Sequence, residues 1–167
     1  MPKTSKPESD PLEPSAPDVV DVIDRTALIE SVINQIITGF CQPRKDARDF
    51  MWHIVLDTSV MSLGAKVKVV MAVSHEMKFK LDKNSLHKLI ALRNAFAHHA
   101  SDAYPAYVVG RTQKEDSSHY QLWVLDGSGK ITRGKRTDAF AEFNKTYRAA
   151  RESLVKLKDM VNLKYRD

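Results

Sequence analysis

The sequence holds a single cysteine, Cys41, among its 167 residues. A lone thiol excludes an internal disulfide framework and points to a reducing compartment, so a cytoplasmic protein is expected. No run of about 18 apolar residues occurs, and a membrane-spanning helix is therefore excluded. The first residues contain no apolar stretch of the kind a secretory leader needs. Neither Cys-x-x-Cys nor His-Glu-x-x-His is present, which removes the two commonest zinc spacings; no metal and no cofactor is expected. A Gly-x-Ser-x-Gly elbow and a Gly-rich dinucleotide turn are missing as well. Gly127-Ser128-Gly129-Lys130 fails as a phosphate loop, because Val124 stands where the first Gly belongs and Ile131 where a hydroxyl residue belongs. It reads as a β-turn.

What is present describes an ordinary folded chain. Hydrophobic residues make up 43% and charged residues 28%, enough for one domain with a real core. The net charge of +5 and a pI near 9.3 suit a polyanionic partner without requiring one. Residues 1–17 hold five of the seven prolines. That segment reads as a disordered Pro-rich tail, with too little apolar surface to offset the entropy of ordering. Residues 18–167 read as a single domain.

Periodicity organises the rest. Leu28, Ile29, Val32, Ile33, Ile36, Ile37 and Phe40 form a stripe of helical period, with Asp24 as its N-cap and Gly39 and Pro43 at its end. A shorter helix is predicted from Asp46 to Leu56, burying Phe50, Ile54 and Trp52. A third starts near Ser62 and carries Val67, Val70, Met71 and His75. There Gly64 and Ala65 are expected to permit close helix packing while Lys66 snorkels to water. Lys78 to Leu81 interrupts the pattern, and a fourth helix runs from Asp82 or Asn84 to His99. The period then changes to two. Ala106–Val109 and Tyr120–Leu125 read as strands, Asp126–Gly129 as a turn, and Lys130–Thr132 as the start of a third strand. Trp123 or Tyr120 should anchor this insertion, at about residues 106–133, to the helices, because an isolated hairpin is marginal in water. A long amphipathic helix from about Asp138 to Leu163 closes the chain. The predicted fold is mainly α, a bundle of four to five helices with a small antiparallel sheet inserted before the C-terminal helix.

The segment with chemical potential is Leu92-Arg93-Asn94-Ala95-Phe96-Ala97-His98-His99. On a helix, Asn94 and His98 are an i,i+4 pair on one face. Arg93 flanks that face and can swing toward it, while Phe96 points to the core with Leu89 and Leu92. A guanidinium that holds phosphate, an amide that orients and an imidazole that moves protons would then lie along one rim. His99 points about 100° away from His98 and reads as a helix C-terminal cap or a surface group facing the dipole. His53, His75, His87 and His119 stand alone.

Arg93, four residues, then His98, with Asn94 directly after the Arg, resembles the motif of HEPN domains. These are small helical bundles, many of them metal-independent endoribonucleases of toxin, antiviral and RNA-processing systems. Asp24-Arg25 and Ser62-Leu63-Gly64-Ala65-Lys66-Val67 are similar to segments of the mannitol-operon-repressor-like (MltR-like) branch. The resemblance spans roughly residues 22–100. It implies a homodimer in which Arg93, Asn94 and His98 of both copies face one cleft. In such a site the ribose 2′-OH attacks phosphorus, an imidazole acts as base or acid, and Arg93 stabilises the phosphorane. It also implies a second reading: a non-catalytic regulatory or binding module in which the same three residues form a satisfied polar network. A third places the chain with a cognate protein partner, as an antitoxin or scaffold. The basic segment Lys130, Arg133, Lys135 and Arg136, with no acid until Asp138, is the candidate RNA-binding surface.

Overall fold

Five α-helices and one β-hairpin make up the structure, a computed structural model that describes residues 17–98, 121–126 and 128–165. The expected Ala106–Val109 strand, Tyr120, His99, His119 and the tail through residue 16 lie outside those residues. α1 runs Pro17–Cys41, starting seven positions before Asp24. Its first residue is a proline, whose fixed φ and missing N–H suit the first helical turn. The reason for the early start is visible in the core. Val19, Val22, Thr26, Ile29, Ile33 and Ile36 are all buried, so the stripe extends two turns back from where the densest apolar run begins. Asp24 is an exposed position within the helix rather than its cap. At the other end Gln42 adopts φ 44°, its N–H donating to the Thr38 carbonyl at 3.0 Å, and Pro43 prevents further helix.

α2 (Lys45–Phe50) continues into a π-helical segment, Met51–Val55, where the Leu56 N–H reaches back five residues to Met51. Neither piece contains a buried residue. The expected burial of Phe50 and Ile54 is therefore corrected: both are exposed, Trp52 is half-buried, and Leu56 makes the core contact. The wider π turn adds a residue and rotates the face that meets α1.

α3 (Leu63–Glu76) is capped by Ser62, whose hydroxyl accepts from the Ala65 N–H. It ends in a Schellman arrangement: the Lys78 N–H donates to His75 and the Phe79 N–H to Ser74, with Lys78 at φ 53°. α4 (Lys83–His98) is capped by Asp82, whose carboxylate accepts the Ser85 N–H at 3.1 Å and the Ser85 hydroxyl at 2.6 Å. These bonds hold the Asp82 carboxyl below its ordinary value of 3.8. The Asp82 N–H in turn donates to Ser153, fixing the helix start against the C-terminal helix.

β1 (Gln121–Leu125) and β2 (Ile131–Lys135) pair antiparallel, with Trp123 opposite Arg133. In the turn the Asp126 carboxylate accepts the Ser128 N–H, the Ser128 hydroxyl and the Lys130 N–H, and Gly129 takes φ 84°. β2 is longer than the sequence suggested and runs straight into α5 (Arg136–Lys164). α5 is the spine, packed along both α1 and α4, with the hairpin laid against α4. α1 and α5 pack closely at Gly39, where an added Cβ would meet Val161 at 3.2 Å.

Two polar ties clamp the bundle. Arg136 pairs bidentately with Asp18 at 2.6 and 2.8 Å. Arg25 bridges Asp21 and Asn144 and lies over the Tyr147 ring at 5.6 Å. The Asp-Arg pair singled out near the helix start thus has a packing role for its Arg.

Candidate functional site

The last two turns of α4 place the motif residues as the helical spacing requires. Ala95, Phe96 and Leu92 are buried, and Phe96 packs edge-on against Phe140 of α5, ring centroids 6.3 Å apart. That apolar seam fixes the rotation of α4 about its axis. Asn94, half-buried, and His98, exposed in the final turn, therefore lie on the opposite flank, with half-buried Arg93 between that flank and the seam. Arg93 swings toward that flank: its Nη1 donates to Asn94 Oδ1 at 3.1 Å. The side chains of the predicted reactive group are thus a linked Arg–Asn pair with an accessible imidazole one turn further on.

Among the described residues Asn94 is the one side-chain acceptor on Arg93, and a guanidinium presents its donors in a planar fork, the geometry that suits phosphate oxygens. The helix C-terminus favours cationic groups, and Arg93 and His98 lie in or near it. His53 and His75 are exposed on other elements, whereas His87, exposed on α4, shares an i, i+4, i+7, i+11 row with Ala91, Asn94 and His98. Among the described residues, no three His, Cys, Asp or Glu side chains converge closely enough to hold a metal ion, and no helix is long and apolar enough to cross a membrane.

The basic segment is divided by the structure. Lys130, Arg133 and Lys135 are exposed along the hairpin. Arg136 is set apart from them, its side chain 13% exposed, held by Asp18 and lying over the Phe96 ring at 5.6 Å. It anchors the start of α5 directly beneath the motif helix. Its place among the candidate RNA contacts is corrected to a structural one, because a bidentate carboxylate already fills its fork.

Two further expectations change. Leu122, not Trp123, fixes the hairpin to the helices: Leu122 is 2% exposed and Trp123 48%. The hairpin's inner face (Leu122, Val124, Thr132 and Gly134) borders a groove of about 850 Å³ against α4 and α5. Lys66 does not reach water. It is fully buried, and its ammonium donates to Glu30 Oε1 and the Leu56 carbonyl. Gly64 meets nothing nearby, so close packing is not its role. The period held the signal for Lys66: Lys66, Val70, Val73 and Met77 form one i, i+4, i+7, i+11 row, and all are buried.

The larger cavity, about 890 Å³, lies between the ends of α1 and α5 and the π-helical segment. It contains none of the predicted site residues, and its cations Arg48 and Lys158 each sit beside an acid, Asp49 and Asp159. No family model, curated protein or solved structure matches the chain.

Proposed function

We propose that the chain is a metal-independent endoribonuclease of the HEPN type, acting as a homodimer with Arg93, Asn94 and His98 as the reactive group. The observation that carries this reading is the exposure of His98 one turn beyond an Asn94 that holds the Arg93 guanidinium. A purely structural network would bury all three.

In the proposed reaction one His98 imidazole removes the proton from a ribose 2′-OH. The 2′-oxygen attacks the adjacent phosphorus, the P–O5′ bond breaks, and the second His98 protonates the departing 5′-oxygen. Two imidazoles are needed because attack and departure occur on opposite sides of phosphorus, which is why the reading requires two copies of the chain. Imidazole has an unperturbed pKa of about 6.5 and can take either role near neutral pH. Arg93 binds the non-bridging oxygens and stabilises charge as it builds on the phosphorane, with Asn94 fixing the guanidinium in place.

Mixed-sequence RNA incubated with the chain and EDTA tests the proposal. Cleavage is expected for the wild type, with a loss of roughly 10²- to 10⁴-fold in His98→Ala, the range for one general acid–base group. Arg93→Ala should fall at least as far. Absence of cleavage by a folded wild type, or equal rates in all three, overturns it and leaves the binding-module reading.

A further inference from the structure

We propose that the outward face of the hairpin, built on Trp123 and Arg133, is a stacking platform for single-stranded nucleic acid. Strand alternation assigns Trp123 and Leu125 of β1 and Ile131, Arg133 and Lys135 of β2 to one face. The opposite face is spent on the bundle through Leu122 and Val124. The outward face holds large apolar groups in the open: Trp123 is 48% exposed, and Leu125 and Ile131, paired across the strands, are each 59% exposed. Burying none of them serves no packing purpose, so a binding purpose is the natural account.

Charge selects the occupant. Arg133 lies over the Trp123 ring with its Cζ 5.2 Å from the centroid, and Lys135 follows two residues on along the same face. Lys130 adds a third exposed cation at the turn. The one acid among the described hairpin residues, Asp126, lines the inner groove with Leu122 and Val124, on the side away from Trp123. An indole plane flanked by cations, with no acid of the described hairpin residues on its face, fits unstacked bases on a phosphate chain. A second copy of this chain fits less well, since a two-fold contact through this face would set its cations against themselves.

The ribonuclease reading enters only in making RNA the natural strand. The platform itself needs no 2′-OH, so it is tested on single-stranded DNA, which the proposed chemistry cannot cut. The full-length protein carrying Trp52→Phe has Trp123 as its sole indole. Its emission should be quenched on titration with oligothymidylate, and a duplex of equal length should quench far less. Fluorescence anisotropy of the labelled oligonucleotide, measured with the native Trp52 in place, gives a second readout. Trp123→Ala should weaken binding roughly 5- to 150-fold, with Trp123→Phe retaining most of it. Arg133→Ala and Lys135→Ala should each lower the log–log salt slope by about 0.7. Equal affinities for Trp123→Ala and wild type, or no binding, overturn the proposal whatever the outcome of RNA cleavage. So does a Trp123→Ala variant that falls from oligomer to monomer in sedimentation, which would assign the face to a second copy.

Discussion

Replacing Glu30 with Met should destabilise this protein more than replacing Lys66 with Met, although the two residues form one ion pair. Lys66 is wholly enclosed, with its ammonium on Glu30 and the Leu56 carbonyl. Glu30 keeps 19% of its side chain in solvent and also accepts from the Thr58 hydroxyl at 2.6 Å. Lys66→Met preserves the aliphatic stem and strands one carbonyl plus a carboxylate that water and Thr58 still reach. The cost should be about 2 kcal/mol, that of one orphaned buried acceptor. Glu30→Met strands a buried ammonium without its hydrogen-bonded carboxylate, and breaking a buried pair in this way costs roughly 3–5 kcal/mol. The double variant removes both charges and should lie near the Lys66→Met single, a strongly non-additive cycle. At roughly 2–4 °C per kcal/mol for a chain of this size, the two melting midpoints should fall by about 4–8 °C and about 6–20 °C. Urea denaturation followed by far-UV circular dichroism supplies the free energies, with constant slopes as the check on two-state behaviour. Equal costs for the two singles, or singles that simply add in the double, would refute the assignment of Lys66 as a buried charge held by Glu30.

Other elements make equally definite predictions. The Asp82 carboxyl is lowered by its bonds to the Ser85 hydroxyl and N–H, so its contribution is complete above the ordinary aspartate value and lost as pH falls through the lower folded one. Asp82→Ala should cost about 1 kcal/mol near neutral pH and flatten the acid limb of a pH–stability curve, which thermal melts between about pH 2 and 7 would record. Leu122→Ala should cost roughly 2–5 kcal/mol, whereas Trp123→Ala, its neighbour on the open face, should stay within about 0.5 kcal/mol. A larger loss for Trp123 than for Leu122 in urea titrations would reverse the orientation assigned to the hairpin.

Helix periodicity made most of the architecture legible. The stripes in α1, α3, α4 and α5 mark buried seams, and Phe96 falls on the core side of α4 as the spacing implies. Asp126 to Gly129 is a turn because a short carboxylate and a glycine at positive φ satisfy it locally. The placement of Asn94 and His98 on one face of α4 was equally readable, since i,i+4 geometry depends on nothing beyond the helix itself. What failed were choices that tertiary contacts decide. In Tyr120-Gln121-Leu122-Trp123-Val124-Leu125 both alternating sets are apolar enough to face inward. The groove above α4 accepts Leu122 and Val124, leaving the bulkier indole outside. Residue type alone sends Lys66 to solvent, whereas its position in the α3 row places it in the core. Its carboxylate partner lies 36 residues earlier, a pairing no local window contains. The same holds for Asp18 and Arg136, separated by 118 residues.

The chemistry of the cut ends tests the ribonuclease proposal most directly. An RNA oligonucleotide spanning one mapped cleavage position would be digested in EDTA and its fragments analysed by mass spectrometry. A 2′,3′-cyclic phosphate on the upstream fragment and a 5′-hydroxyl on the downstream one are predicted. Cleavage should be abolished by a 2′-O-methyl group on the nucleotide before the scissile bond and nearly abolished by His98→Ala. A 5′-phosphate on the downstream fragment, or undiminished cutting by His98→Ala, would contradict the role given to the α4 rim.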